Sequence, residues 1–229
     1  NSKTWFSVSL SAFDIIPFQP RMASCYQDKI GVYHLFTDYL RKGTSPYNAG
    51  IRYYKSKDLY NWKYVNTAAK HAEPGAADAK GCSSPHIYAT DEKIYLFYGG
   101  TPESVDGKMN IYAEKGESGY MSRSIIVAVA KADKNGGPKG KFKKRSVVVA
   151  PGDMGDWDAM RLDDPCIVAE GDSLHLFYKA FDSNKKIGRV RVGYAKGSLD
   201  NLKFEKYPSP VLAVPGGGEM PRVFKLKNN

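Results

Sequence analysis

No stretch of the chain approaches the roughly 18 consecutive apolar residues that a membrane span needs, so no membrane partner is expected. Helical periodicity is nearly absent, which argues against an α-helical or alternating α/β architecture. Cysteine is scarce: Cys25, Cys82 and Cys166 form no CxxC and have no histidine at zinc-ligand spacing. An odd three leaves two readings open, one disulfide plus a thiol or three reduced thiols. Two histidines and a carboxylate in metal geometry cannot be assembled from the sequence, so no catalytic metal and no cofactor are expected. The first residues, NSKTWFSVSL, lack the basic-then-apolar layout of a signal peptide, and any such segment is read as already removed.

Acidic residues are the other shortage. Asp and Glu number 24 against 34 Lys and Arg, leaving a formal charge of +10 that speaks to partners more than to fold. The basic residues are scattered, with a modest cluster at Lys139, Lys141, Lys143, Lys144 and Arg145. No RRM, KH, zinc-finger or helix-turn-helix pattern accompanies them, so nucleic acid is not the expected partner. A sulfated or uronate-bearing carbohydrate suits the same charge, as does a role in solubility alone. With 42% hydrophobic and 25% charged residues, the 229-residue chain is neither disordered nor fibrous and has ample length for a core.

What is present is a repeat. SSPHIYATDEKIYLFYGG (83–100) and DDPCIVAEGDSLHLFYKA (163–180) share a proline, an apolar β-former, a polar turn and an alternating strand ending Leu-Phe-Tyr, with eleven positions from proline to leucine in each. FQPRMASCYQDKIGVYHLFTD (18–38) follows the scheme from Pro20 with four extra positions, and EMPRVFKL (219–226) begins it again. Each full unit continues with a β-branched and aromatic strand (51–62, 125–133, 190–204) and a short fourth one (Lys63–Val65, Arg145–Ala150, Phe204–Tyr207). Thr101–Gly119, Lys134–Lys141 and Gly152–Asp158 read as loops. The expectation is an all-β, single-domain β-propeller over 1–229, with antiparallel four-stranded blades starting near Pro20, Pro85, Pro165 and Pro221.

In a propeller the first strand of each blade lines the central channel, where a ligand is expected. The residues flanking the four prolines are Phe18-Gln19-Pro20-Arg21, Ser83-Ser84-Pro85-His86, Asp163-Asp164-Pro165-Cys166 and Glu219-Met220-Pro221-Arg222. Two blades therefore bring carboxylates: Asp163 and Asp164 from one, Glu219 from the next. Opposed carboxyl groups are what glycosidic cleavage uses, one donating a proton and one charged, and crowding raises one of their pKa values.

These motifs, with SKDLYNW (56–62), resemble the five-bladed propeller glycoside hydrolases of family 43. GDWDAMRLDDPCIVAEGDSLHLFYKA (155–180) and GGGEM (216–220) are more similar to family 117, the anhydrogalactosidases of red-algal galactans. The resemblance implies Glu219 as general acid and Asp164 as the carboxyl that tunes it. At the family 43 base position, before the first-blade proline, stands Gln19, which cannot take a proton from water. Asp14 and Asp38 are acids nearby, and Gly218 replaces the family 117 histidine before the Glu. That departure leaves three readings: the first-blade alignment is off, the chain is a non-catalytic carbohydrate-binding propeller, or it works by phosphorolysis as in family 130, whose acidic-Asp-Pro motif is similar to Asp163-Asp164-Pro165. In the last, Arg21, His86, Arg161 and Arg222 would hold phosphate, and the same set would hold an anionic sugar.

Each candidate also has a plainer reading. Asp163 and Asp164 fit a turn before Pro165, Glu219 a solvated loop, and Arg21 and Arg222 ordinary ion pairs. Trp157 stands where an aromatic platform would stack a sugar, whereas Trp62 reads as blade packing. His34 and His175 read as satisfied structural residues. Three full units and one strand do not close a five-bladed ring, so the chain is expected to be truncated or completed by a second chain or homo-oligomer. The expected location is secreted or periplasmic.

Overall fold

β-Branched and aromatic residues recur along the chain in strands of mostly seven to twelve residues, with two shorter ones late in the chain, and these pair into sheets. The computed structural model describes residues 18–41, 50–104, 106, 119–153, 155–181, 190–213 and 221–223. Side chains are described there except at 18–21, 40, 41, 144, 145 and 213. Among the described residues the structure is all-β with no helix. The first blade holds β1 (Phe18–Gln27), β2 (Tyr33–Arg41), β3 (Gly50–Ser56) and β4 (Lys63–Ala69). The second holds β5 (Gly81–Ala89), β6 (Lys93–Thr101), β7 (Ser124–Ala132) and β8 (Pro138–Val149). The third holds β9 (Arg161–Glu170), β10 (Ser173–Phe181), β11 (Val190–Ser198) and β12 (Phe204–Lys206), with β13 (Leu212–Ala213) also on β11. Neighbours within each blade are antiparallel and follow chain order.

Side-chain alternation sorts the core. On β6, Ile94, Leu96 and Tyr98 enter the cluster shared with the first blade, among Phe36, Ile51, Tyr53 and Phe142. Tyr95 and Phe97 point the other way, into a cluster with Ile125, Leu162, Leu176 and Tyr178 shared with the third blade. A strand buried on both faces explains why KIYLFYGG reads as nearly continuous hydrophobicity. The hairpins are closed by carboxylates that accept backbone N–H groups, as turn residues do. Asp28 accepts from Ile30 and Val32, and Asp133 from Asn135 and Gly137. Asp58 accepts from Tyr60 and Asn61, and these hydrogen bonds hold its pKa well below the usual range. All three cysteines are free thiols.

The hairpin register corrects one expectation. In the second blade Cys82 pairs with Gly100 and Ile87 with Leu96, so four residues of β5 oppose three of β6, a β-bulge. The first blade repeats this with Pro20 opposite Tyr39 and Cys25 opposite Leu35. The counterpart of Pro85 is therefore Ala23, not Pro20, and Pro20 matches Cys82. Three of the four extra positions disappear, and the fourth lies in the longer Asp28–Val32 turn. β8 also begins earlier than expected, at Pro138, because the Asp133 turn closes at Gly137. Proline is acceptable there as the first residue of a strand. Residues 221–223 carry no strand; the Val223 N–H lies 3.3 Å from Cys166 Sγ on β9.

Candidate active site

The bulges of β5 and β9 put Ser84 and Asp164, each just before its proline, in the left-handed region, at φ 53° and 49°. That conformation costs an ordinary residue about 1–2 kcal/mol, and such strain gathers at ligand sites. It turns both side chains out of the regular alternation. Asp163 and Asp164 then lie at the seam between the second and third blades, beside Ser83 and Ser84.

Each carboxylate has its own cation. Asp163 is bound by Arg123, which immediately precedes β7 and is only 1% exposed. The same guanidinium donates to the Ser83 hydroxyl and reaches the Gly99 carbonyl at 3.5 Å. Asp164, 3% exposed, has the Lys179 ammonium of β10 at 3.3 Å from Oδ2. Gly99 makes room for this: a Cβ there would stand 2.5 Å from Asp163 Oδ1 and 2.9 Å from Arg123 Nη2. Burial alone would raise the Asp163 pKa, but Arg123, Lys179 and Arg161 outweigh it and the net shift is downward. For Asp164, burial and then the charge of Asp163 raise the pKa, with Lys179 and Ser84 opposing. One carboxylate is fixed as an anion while its neighbour holds a proton more tightly than usual.

The other expected residues distribute around this pair. Arg161 is buried one turn of pleat before it, its guanidinium 3.8 Å from the Phe181 ring centroid. His86 follows Pro85 on β5. Burial and then the Arg222 charge push its pKa down to about 4, against a hydrogen bond to the Ile167 backbone, so it is neutral at pH 7. Arg222 is exposed and bonds only its neighbour, Nη1 to the Pro221 carbonyl, among the contacts described. Trp157 packs: its indole stacks on Tyr178 at 6.3 Å and its N–H donates to the Pro208 carbonyl. Gln19 and Arg21 lie on β1, where register matches Arg21 with Asp163 and Met22 with Asp164; their side chains lie outside the described residues. Glu219, Asp14 and Gly218 fall outside them altogether. Among the described residues no cluster of His, Cys, Asp or Glu has metal-binding geometry.

Two members of the site, Lys179 and Arg123, were missed, and Asp38 was noticed only as an acid outside the expected place. Lys179 and Asp38 stand two positions past the Leu-Phe pair, where the second blade has Gly99, and a charge in an otherwise apolar strand was a readable signal. Asp38 is 0% exposed and accepts from the Met22 and Ser84 N–H groups at 2.7 and 3.1 Å, tying the first blade to the second. Arg123 gave no signal, standing alone in a connection before β7.

The family model of the glycosyl hydrolases family 32 N-terminal domain matches residues 25–229. The chain belongs to that family. Solved structures agree on its propeller fold. Zg3597, a family 117 glycoside hydrolase from Zobellia galactanivorans, is 23% identical with a TM-score of 0.64, over 86% of this chain and 58% of that one. A family 32 β-fructofuranosidase from Bombyx mori is 17% identical at TM-score 0.59, over 86% of this chain and 35% of its own. Fructan 1-exohydrolase IIa from Cichorium intybus is 17% identical at 0.60, over 90% and 36%. This family 32 chain thus spans little more than half of the first and about a third of the others. No curated protein matches it.

Proposed function

We propose that the chain forms the substrate face of a glycoside hydrolase that cleaves an anionic or anhydro-galactose-type saccharide by acid/base catalysis. The observation that carries this reading is the adjacent Asp163–Asp164 pair, in which the Arg123 cation leads in holding the Asp163 pKa down while burial and the Asp163 charge push the Asp164 pKa up. Paired carboxyl groups pushed apart in this way are the usual basis for dividing acid and base roles. In the proposal Glu219 protonates the glycosidic oxygen. Asp164 receives a sugar hydroxyl and, by its charge when ionised, raises the pKa of Glu219. Asp163 stays ionised against Arg123 and holds the backbone of the bulge in place. Arg161 and Arg222 face the anionic group of the sugar.

A panel of galactans, sulfated galactans, arabinans, mannans and fructans, with and without inorganic phosphate, tests the reading. Sugar release that is lost in Glu219→Gln and Asp164→Asn supports it; release that persists undiminished in Glu219→Gln overturns it. Release only with phosphate would mean phosphorolysis. One observation favours a second reading, a binding propeller without turnover. The first-blade position matching Asp164 is Met22, so β1 supplies no carboxylate there to activate water. That reading expects glycan retention on an array and no release from any member of the panel.

A further inference from the structure

The basic cluster of β8 gains two members when the sheet is assembled. Lys93 on β6 pairs directly with Lys131 on β7, and Lys131 pairs directly with Lys139 on β8. Three ammonium groups from distant stretches of sequence thus stand in one row across the second blade, on strands about 4.8 Å apart. All three are exposed. Lys143, opposite Val129, extends the row along β8 beyond a bulge at residues 140–142, in which Lys141 is exposed and Phe142 turns into the core. Like charges directly opposite on neighbouring strands repel and destabilise a sheet. Among the described residues no carboxylate forms an ion pair with any of the five lysines. The acids nearest in sequence are otherwise placed. Asp91 is paired with Lys29, Asp133 accepts the amides of its own turn, and Glu92 forms no ion pair there.

We propose that this lysine row is a docking site for a linear anionic polysaccharide, separate from the Asp163–Asp164 site, with sulfate or carboxylate groups seated between the ammonium groups. A regularly charged chain is the partner whose repeated anions match a row of cations, and its binding would relieve the cross-strand repulsion. The choice of a polysaccharide over another polyanion rests on the proposed glycosidase reading, and also on the face itself. Nucleic acid binding normally interleaves cations with exposed rings for base stacking. The aromatics on this face of β6, Tyr95 and Phe97, are buried against the third blade.

The test is direct binding by the whole chain, read by calorimetry at two salt concentrations. The ligands are a sulfated galactan, the same galactan after desulfation, and a DNA duplex of equal charge. The variants are Lys93→Gln/Lys131→Gln/Lys139→Gln and, as control, Lys57→Gln/Lys203→Gln. The expected result is sulfate-dependent binding that the row variant weakens about tenfold or more, with a shallower salt dependence, and the control leaves within about twofold. Any sugar release from desulfated galactan should be the same in the row variant and the unaltered chain, which keeps this outcome independent of the Asp163–Asp164 site. Equal affinity of the row variant, equal binding of desulfated galactan, or DNA bound as tightly as sulfated galactan would each overturn the proposal.

Discussion

The two seams between blades use the same register positions for different ends. Between the first and second blades, the inner polar group is Asp38, with each carboxylate oxygen occupied by a backbone N–H. Further out, His34 bridges Tyr53 at 2.6 Å and Asp28 at 3.0 Å, under the stacked ring of Tyr26, whose hydroxyl donates to the Gly136 carbonyl of the β7–β8 turn. Between the second and third blades, the inner groups are Arg123, Asp163, Asp164 and Lys179, with left-handed backbone at the bulges on both sides. Among the described contacts, the first seam sets the Asp38 carboxylate against fixed amide dipoles and keeps its His34–Asp28 pair further out. The second balances charge against charge, so the protonation of one group depends on its neighbours. Position alone does not make a site; what separates the two among the described contacts is the left-handed Asp163–Asp164 pair with its two cations.

The largest expected effect comes from breaking that balance. Arg123→Met should cost about 3–5 kcal/mol of stability, because it takes from the buried Asp163 carboxylate the cation that bonds it directly. Denaturant unfolding checks this, and a loss under 1 kcal/mol would mean that water replaces the guanidinium. Gly99→Ala, which drives a methyl group into the same pair, should cost about 1–3 kcal/mol by the same measurement. At the other seam, Asp38→Asn keeps one carbonyl acceptor and loses the charge, so a smaller cost of about 1–2 kcal/mol is expected. A cost as large as that of Arg123→Met would erase the distinction between the seams.

The remaining effect is one of pH. His86 has a folded pKa near 4 against an ordinary 6.5, so the folded state binds fewer protons than the unfolded chain between those values. The neutral ring's contribution is complete above pH 6.5 and is lost as pH falls through about 4. Thermal unfolding across that window should fall less steeply in His86→Gln than in the unaltered chain. An unchanged slope would place the acid sensitivity in other groups.

The blades themselves were legible because Leu-Phe recurs at Leu35-Phe36, Leu96-Phe97 and Leu176-Phe177; in the first two blades both residues are core, and in the third Phe177 is half-buried beside Tyr194. The first blade's frame was misread through Pro20. A proline is conspicuous in sequence, whereas a bulge is defined by what lies across the ladder, and Ala23 carries no mark of it. Asp163 and Asp164 were found through their offset from Pro165. Their cations were not, since Arg123 and Lys179 reach them only once three strands are assembled. The lysine row was hidden for the same reason: Lys93 and Lys139 become neighbours through Lys131, and only β8 showed its charge as a run.

β6 has a consequence for how the molecule opens. Its side chains are shared between two cores, and its backbone is paired on both edges, with β5 and β7. No partial opening that detaches the first blade alone, or the third alone, frees its amides to solvent. Amide hydrogen exchange along β6 should therefore be the slowest in the chain and report global unfolding, while β4 and β12 exchange through local fraying.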